Sequence, residues 1–200
     1  MNNIFKTKLD AATIVLIPAC IGINYLGKLF ASFLKLPLWL DSIGTCIGGC
    51  LGGPIIGAIC GAANNLIYGL TTGDSITLVY ALTSLGIGFV VGVMARMGFM
   101  TSFAKSLLCA VGGGLAAVVI STPLNIMFWG GTTGNVWGDA LFTATQAAGM
   151  PVALGSLLDE LVVDVPDKLI TVIVVFLILK GLPKKLSALY DVNAKVERLD

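Results

Sequence analysis

Apolar residues fill this chain in long blocks broken by short polar clusters, and the block lengths predict helices that cross a lipid bilayer. Residues 9–34 form the first block, long enough to span with some tilt. A charged loop, Lys35 to Asp41, separates it from a short block at 42–52. Gly52-Gly53-Pro54 turns that block into a third at 54–69, and Pro54 suits the first turn of a helix, where its missing N–H costs nothing. Thr71-Thr72-Gly73-Asp74-Ser75 reads as a tight connection, with Asp74 or Ser75 as the N-cap of a fourth span at 75–97. The fifth span covers 103–128. A polar and small-residue stretch at 130–164 follows, with short helices of its own, and the sixth span, 165–181, stops at Leu182-Pro183-Lys184-Lys185. The expectation is an all-α integral membrane protein with six transmembrane helices, in a single domain over residues 1–200.

Within this pattern lies a glycine ladder. Gly44, Gly48 and Gly52 fall every fourth residue, and so do Gly49, Gly53, Gly57, Gly61, Asn65 and Gly69, with Asn65 on one rung. So many glycines would ruin a helix in water. In lipid they clear one helical face of side chains, so that neighbouring backbones can approach closely. The ladder predicts tightly packed membrane helices with something polar held near its end.

Composition agrees with a membrane protein. Hydrophobic residues make up 56% and charged residues 12% of the chain, too few of the latter for a water-facing shell. The mean hydropathy is +0.96. A net charge of +1 argues against nucleic acid, which wants a dense basic patch. The placement of charge says more. Lys6, Lys8, Arg96, Lys105, Lys180, Lys184 and Lys185 fall on one side of the six spans. Asp41, Asp74, Asp139, Asp159, Glu160, Asp164 and Asp167 fall on the other, with only Lys35 and Lys168 among them. The asymmetry predicts both termini in the cytoplasm. The first span is too long for a cleaved signal, has no small-residue cleavage site after it, and is expected to stay in the mature protein.

Catalysis finds little to work with. The chain has no histidine, no GxxxxGK(S/T) nucleotide loop and no GxSxG elbow. Its five cysteines, Cys20, Cys46, Cys50, Cys60 and Cys109, lie within spans without CxxC spacing and read as small packing residues. No enzyme, metal or cofactor is expected. No carboxylate pair within the predicted spans suggests an ion-coupled secondary transporter.

The remaining candidates gather at the outer helix ends. Trp39 reads as an interface anchor or a pocket wall, and Asp41 as a helix cap or a pocket group. Asn64 and Asn65, with Tyr68 beside them, place adjacent amides in lipid, which need other helices, a cavity or a ligand to satisfy them. Asn125, Trp129, Asn135, Trp137 and Asp139 surround the exit of the fifth span, where Thr132 to Asn135 reads as a mobile loop tip. The two tryptophans fit an aromatic belt or a stack on a flat ligand. Tyr80 and Ser84 share a face with Gly88 and Gly92, so they serve helix packing or a pocket. Lys168 pairs with Asp167 or Asp164, or meets a ligand carboxylate. Lys28, in the first span, is expected to snorkel outward.

The run from Leu51 to Asn65, Leu-Gly-Gly-Pro-Ile-Ile-Gly-Ala-Ile-Cys-Gly-Ala-Ala-Asn-Asn, resembles the second-to-third helix signature of the substrate-binding S components of energy-coupling factor (ECF) transporters. Leu40 to Thr45, the six spans and the basic Leu-Pro-Lys-Lys ending are similar too, and the resemblance covers most of residues 9–187. It implies a protein of the bacterial plasma membrane that captures a vitamin or a related heterocyclic micronutrient outside. Delivery inward would need a membrane coupling subunit, the T component, and two ATPases. Trp39, Asp41, Asn64, Asn65, Tyr68, Tyr80, Asn125, Trp129, Asn135, Trp137 and Lys168 are the substrate-binding candidates. Family members dock on the coupling subunit through small residues on the first helix. Ala19, Gly27 and Ala31 share a face here, but Ile23 interrupts it and Val15 is bulky, a departure from the family's pattern. Two other classes remain open: a ligand-sensing module of a receptor, although no kinase or cyclase domain follows in the chain, and a small channel or structural membrane protein.

Overall fold

A computed structural model describes residues 4–5, 7 and 9–190, so Lys6 and Lys8 lie outside the described residues, and so does the side chain of Lys184. The described residues are all-α, in the order α1 (Ala11–Leu34), α2 (Ile43–Gly52), α3 (Pro54–Thr72), α4 (Ser75–Val79), α5 (Ala81–Arg96), α6 (Phe103–Trp129), α7 (Val136–Ala147), α8 (Val152–Gly181) and α9 (Lys184–Ala188). Three of them, α1, α3 and α6, are long and apolar enough to cross a membrane. The chain is a multi-pass membrane protein. Exposed Phe33, Leu70, Val119 and Met127 on these helices present the apolar exterior that lipid requires.

The glycine ladder packs α3 against α5 and α2 against both. A Cβ on Gly57 would stand 2.6 Å from the Gly88 carbonyl oxygen, and one on Gly92 would meet the Pro54 backbone at 2.5 Å. Gly49 faces the same strip, with Gly88 and Gly92 little more than 3 Å from its would-be Cβ. Backbone therefore lies on backbone along this seam, and van der Waals contact replaces the hydrophobic drive that lipid cannot supply. Gly53, at φ 94°, makes the turn from α2 into α3, and Pro54 opens the new helix as expected. Gly44 lies against the Cys20 backbone of α1. Cys20, Cys46, Cys60 and Cys109 are buried among Ile56, Ile87, Val91 and Val175, free thiols used as small apolar filler.

Two spans differ from the pattern-based expectation. The fourth, read as 75–97, divides at Tyr80 into α4 and α5. Asp74 caps α4 through the Ile76 and Thr77 amides. The Tyr80 carbonyl is then shared between the Ser84 N–H at 3.0 Å and the Asn65 side chain at 2.9 Å, which bends the chain there. The sixth, read as starting at 165, begins at Val152. Pro166 lies inside α8 rather than at its start, and the acids before it belong to the helix. Residues Glu160, Asp164 and Lys168 recur every fourth position, so they share one face and reach one another. Their mutual pairing makes an inward charged face tolerable. The earlier part of the 130–164 stretch forms α7, which folds back along α8: Gly138 sits on Asp159, and Gly155 on Phe142 and Thr145.

Candidate functional site

The site is built from α1 upward. Asn24, fully buried, accepts from the Gly44 N–H at 2.7 Å and the Thr45 N–H at 3.2 Å and donates to the Thr45 hydroxyl at 2.8 Å. It caps α2 from a neighbouring helix, which explains why Ser42, in the N-cap position, makes no capping bond. One turn further on, Lys28 points inward and is 4% exposed. The expectation of a snorkelling Lys28 is overturned. Its ammonium lies 3.6 Å from Asp41 and over the rings of Tyr68, at 5.0 Å, and Trp39, at 5.7 Å. A buried cation needs such partners, and these three supply a carboxylate and two π faces.

Gly27 makes this possible. Its open face receives the Leu40 backbone, so the segment between α1 and α2 lies flat against α1. Ala31 is likewise buried. Of the three residues considered for docking, Gly27 and Ala31 thus face the protein's own interior and Ala19 faces outward. The segment is held from the far side by Asp167, whose Oδ1 accepts from both the Trp39 N–H at 3.0 Å and the Leu40 N–H at 2.9 Å. Leu40 adopts φ 52°, a conformation that costs a non-glycine residue about 1 kcal/mol or more and persists only where surroundings impose it. Asp41, so placed, is not a helix cap. Burial raises its carboxyl pKa, but the ammonium groups of Lys28 and Lys168 and the Ser42 hydroxyl outweigh burial and leave it below the ordinary value.

The opposite wall comes from α3, α5, α6 and α8. Asn65 donates to the Tyr80 carbonyl and to the Ser84 hydroxyl, each at 2.9 Å, and accepts from Asn64 at 3.2 Å. Thr83 and Ser121 hydroxyls meet at 3.0 Å. The Tyr80 hydroxyl donates to Asn125, and Asn125 donates in turn to Glu160 Oε1. Lys168, 1% exposed, pairs with Asp167 and lies 3.5 Å from Asp164. Aromatic rings bridge the two walls, Trp39 to Tyr80 at 6.3 Å between centroids and Tyr80 to Trp129 at 5.7 Å.

Between the walls lies a small cavity of about 30 Å³. Lys28, Trp39, Asp41, Asn65, Tyr80 and Lys168 line it, joined by Thr83, Ser84, Ser121, Glu160 and Asp164. The geometry therefore brings Trp39, Asp41, Asn65, Tyr80 and Lys168 to one space, with Tyr68, Asn125 and Trp129 directly behind them. Asn64 is buried one position away, and its carbonyl oxygen has no hydrogen-bond partner among the described residues.

Asn135 and Trp137 lie elsewhere. Asn135 caps α7 and reaches the Leu36 carbonyl at 3.5 Å, while Trp137, 58% exposed, donates its indole N–H to the Lys35 carbonyl at 3.1 Å. They tie two outer loops together above the cavity rather than lining it. The loop tip at 132–135 is held from below by Asp139, which accepts from the Thr133 and Gly134 amides, and by Asp159, which accepts from the Thr133 hydroxyl. Lys28, Asn24, Glu160 and Asp164 are the groups that pattern reasoning missed. The fourfold spacing of Glu160, Asp164 and Lys168 was the available signal for three residues of this face. Compared with known proteins, the chain matches no family model, no curated protein and no solved structure.

Proposed function

We propose that the chain is the substrate-binding S component of an ECF-type transporter, capturing a small heterocyclic micronutrient at the outer surface of a bacterial plasma membrane. The observation that carries the reading is the convergence of amides, hydroxyls, ion pairs and the rings of Trp39 and Tyr80 on one small cavity of about 30 Å³, beneath two loops tied to each other. Convergent polar groups fixed by their neighbours are what orient a small ligand and give its site specificity. Six membrane-embedded segments with both termini cytoplasmic would put the cavity outside, in keeping with Arg96, Lys105 and Lys180 at the opposite helix ends. The chain has no nucleotide-binding loop, so a T component and two ATPases would supply the work. Its role is binding and delivery rather than catalysis.

The buried Glu160–Asp164 pair favours a second reading. Intramembrane carboxylates serve ion-coupled transport, and the sequence pattern had hidden this pair in a loop. Reconstitution separates the two. The chain in liposomes should bind a micronutrient alone but accumulate it against a gradient only with the coupling subunit, the ATPases and ATP. Accumulation by the chain alone, driven by an ion gradient, would establish the secondary transporter instead.

A further inference from the structure

A second space opens at the basic end of the bundle, where α6 begins and α8 ends. Midway along, these two helices nearly touch: a Cβ on Gly114 would stand 3.4 Å from the Val165 backbone. Nearer the end, Phe103 of α6 meets Phe176 of α8 edge to face, with ring centroids 6.0 Å apart. Glycine lets the helices close, and the ring pair holds them open. Beside the rings lies a groove of about 440 Å³, against about 30 Å³ for the central cavity. Small-ligand sites run from about 300 to 1,000 Å³, so this groove has room for a molecule.

Its lining is of two kinds. Met100, Phe103, Phe176 and Leu179 supply apolar surface, while Thr101, Ser102 and Lys180 supply polar groups. Lys28 and Lys168 are neutralised inside the protein, but Lys180 is exposed and makes no ion pair among the described residues. No carboxylate lines the groove. The turn before α6 is fixed by the Thr101 hydroxyl, which donates to the Gly98 carbonyl at 2.7 Å. The Ser102 hydroxyl oxygen accepts from the Lys105 N–H at 3.4 Å, and its own proton has no acceptor among the described residues.

Placement narrows the occupant. The groove sits at the ends of two membrane helices, the depth at which lipid headgroups meet water, and Arg96 and Lys105 lie at the same end of the bundle. A phosphodiester calls for a cation and hydroxyl donors, and an acyl chain calls for apolar surface. A zwitterionic headgroup would add an ammonium that finds no carboxylate here. Basic pockets between membrane helices recognise anionic headgroups on this chemistry. We propose that the groove holds one anionic phospholipid, its phosphate at Lys180 and the Ser102 hydroxyl and an acyl chain along Phe103 and Phe176. The assignment is independent of what the central cavity binds.

Native mass spectrometry of the purified chain in detergent provides the test, with phosphatidylglycerol and phosphatidylcholine of identical acyl chains as probes. Phosphatidylglycerol should be retained about fivefold more tightly, the effect of one lysine at a membrane surface. Lys180→Gln should remove most of that preference and Lys180→Arg should keep it. Lys105→Gln, at the same end but outside the groove, should leave it unchanged. Inorganic phosphate should not displace the lipid, since it cannot use the apolar surface. Equal retention of the two lipids would overturn the proposal, as would an undiminished preference in Lys180→Gln. An equal loss in Lys105→Gln would reduce the effect to the diffuse charge of this end and overturn it too. Displacement by inorganic phosphate would leave an anion site and no lipid site. A lipid-free dimer would give the groove to a second copy of the chain, which also overturns the proposal.

Discussion

Replacing Lys168 with methionine tests whether the cavity wall is held by charge. Methionine matches the length of the lysine stem, so packing changes little and the ammonium alone is lost. Lys168 is 1% exposed, pairs with Asp167 and lies 3.5 Å from Asp164. Its removal strands two buried carboxylates, and breaking a buried pair from one side costs about 3–5 kcal/mol. For a chain of this size each kcal/mol is worth about 2–4 °C, so Tm should fall by about 6–20 °C. The buried thiols Cys20, Cys46, Cys60 and Cys109 provide the readout, since a thiol-reactive dye reaches them only on unfolding. Adding Asp167→Asn to Lys168→Met removes one stranded charge while the new side-chain oxygen can still accept from the Trp39 and Leu40 amides. The double variant should recover about half of the loss, the signature of coupled neighbours. A Tm within about 2 °C of wild type for Lys168→Met would refute the claim that a charged Lys168 anchors this wall.

Gly88→Leu should abolish the folded protein, because any Cβ there strikes the Gly57 backbone, whereas Gly22→Leu, with nothing near its Cβ, should leave Tm unchanged; size-exclusion profiles in detergent decide it. Trp129→Ala and Asn65→Leu should weaken binding of the co-purified ligand about 5- to 150-fold, the loss of about 1–3 kcal/mol from one stacked ring or one buried hydrogen bond. Trp137→Ala, outside the cavity, should cost less than about fivefold, and an equal loss from all three would move the site toward the outer loops. In a cysteine-free background, Asp74→Cys should react with an impermeant reagent from outside and Lys105→Cys only after the cell is opened, and outside labelling at Lys105→Cys would invert the topology.

Local spacing made the helix packing legible. Gly57, Gly61, Gly88 and Gly92 recur at helical intervals, and a missing side chain has the same meaning whatever lies opposite, so close packing along these faces was legible in the sequence, while the pairing of α3 with α5 came from the structure. Asp74 as a cap and Pro54 as a first-turn residue were readable for the same reason: each acts on its own backbone within a few positions. Trp39, Asp41, Asn65, Tyr80 and Lys168 could be singled out because polar or aromatic groups near membrane depth need partners. Which partners they find is another matter.

The misreadings share a cause, which is that a charge inside a span looks like the end of that span until its partner is known. Lys28 was expected at the surface because its nearest carboxylate in space, Asp41, lies beyond the end of α1 and comes into reach only when the segment folds back over Gly27. Asp159, Glu160, Asp164 and Asp167, with Pro166 among them, made the first half of α8 resemble a loop. Hydropathy sums cannot see that Lys168 neutralises two of these acids, that Asn125 holds another and that Asp167 receives two backbone amides from residues 39 and 40. Buried charges are tolerable only as a set, and the set spans α1, the 35–41 segment, α6 and α8. The same long-range pairing that hid the site from a local reading also bears on its chemistry: Lys28 and Lys168, the cations that line the cavity, are both paired with carboxylates of the protein itself.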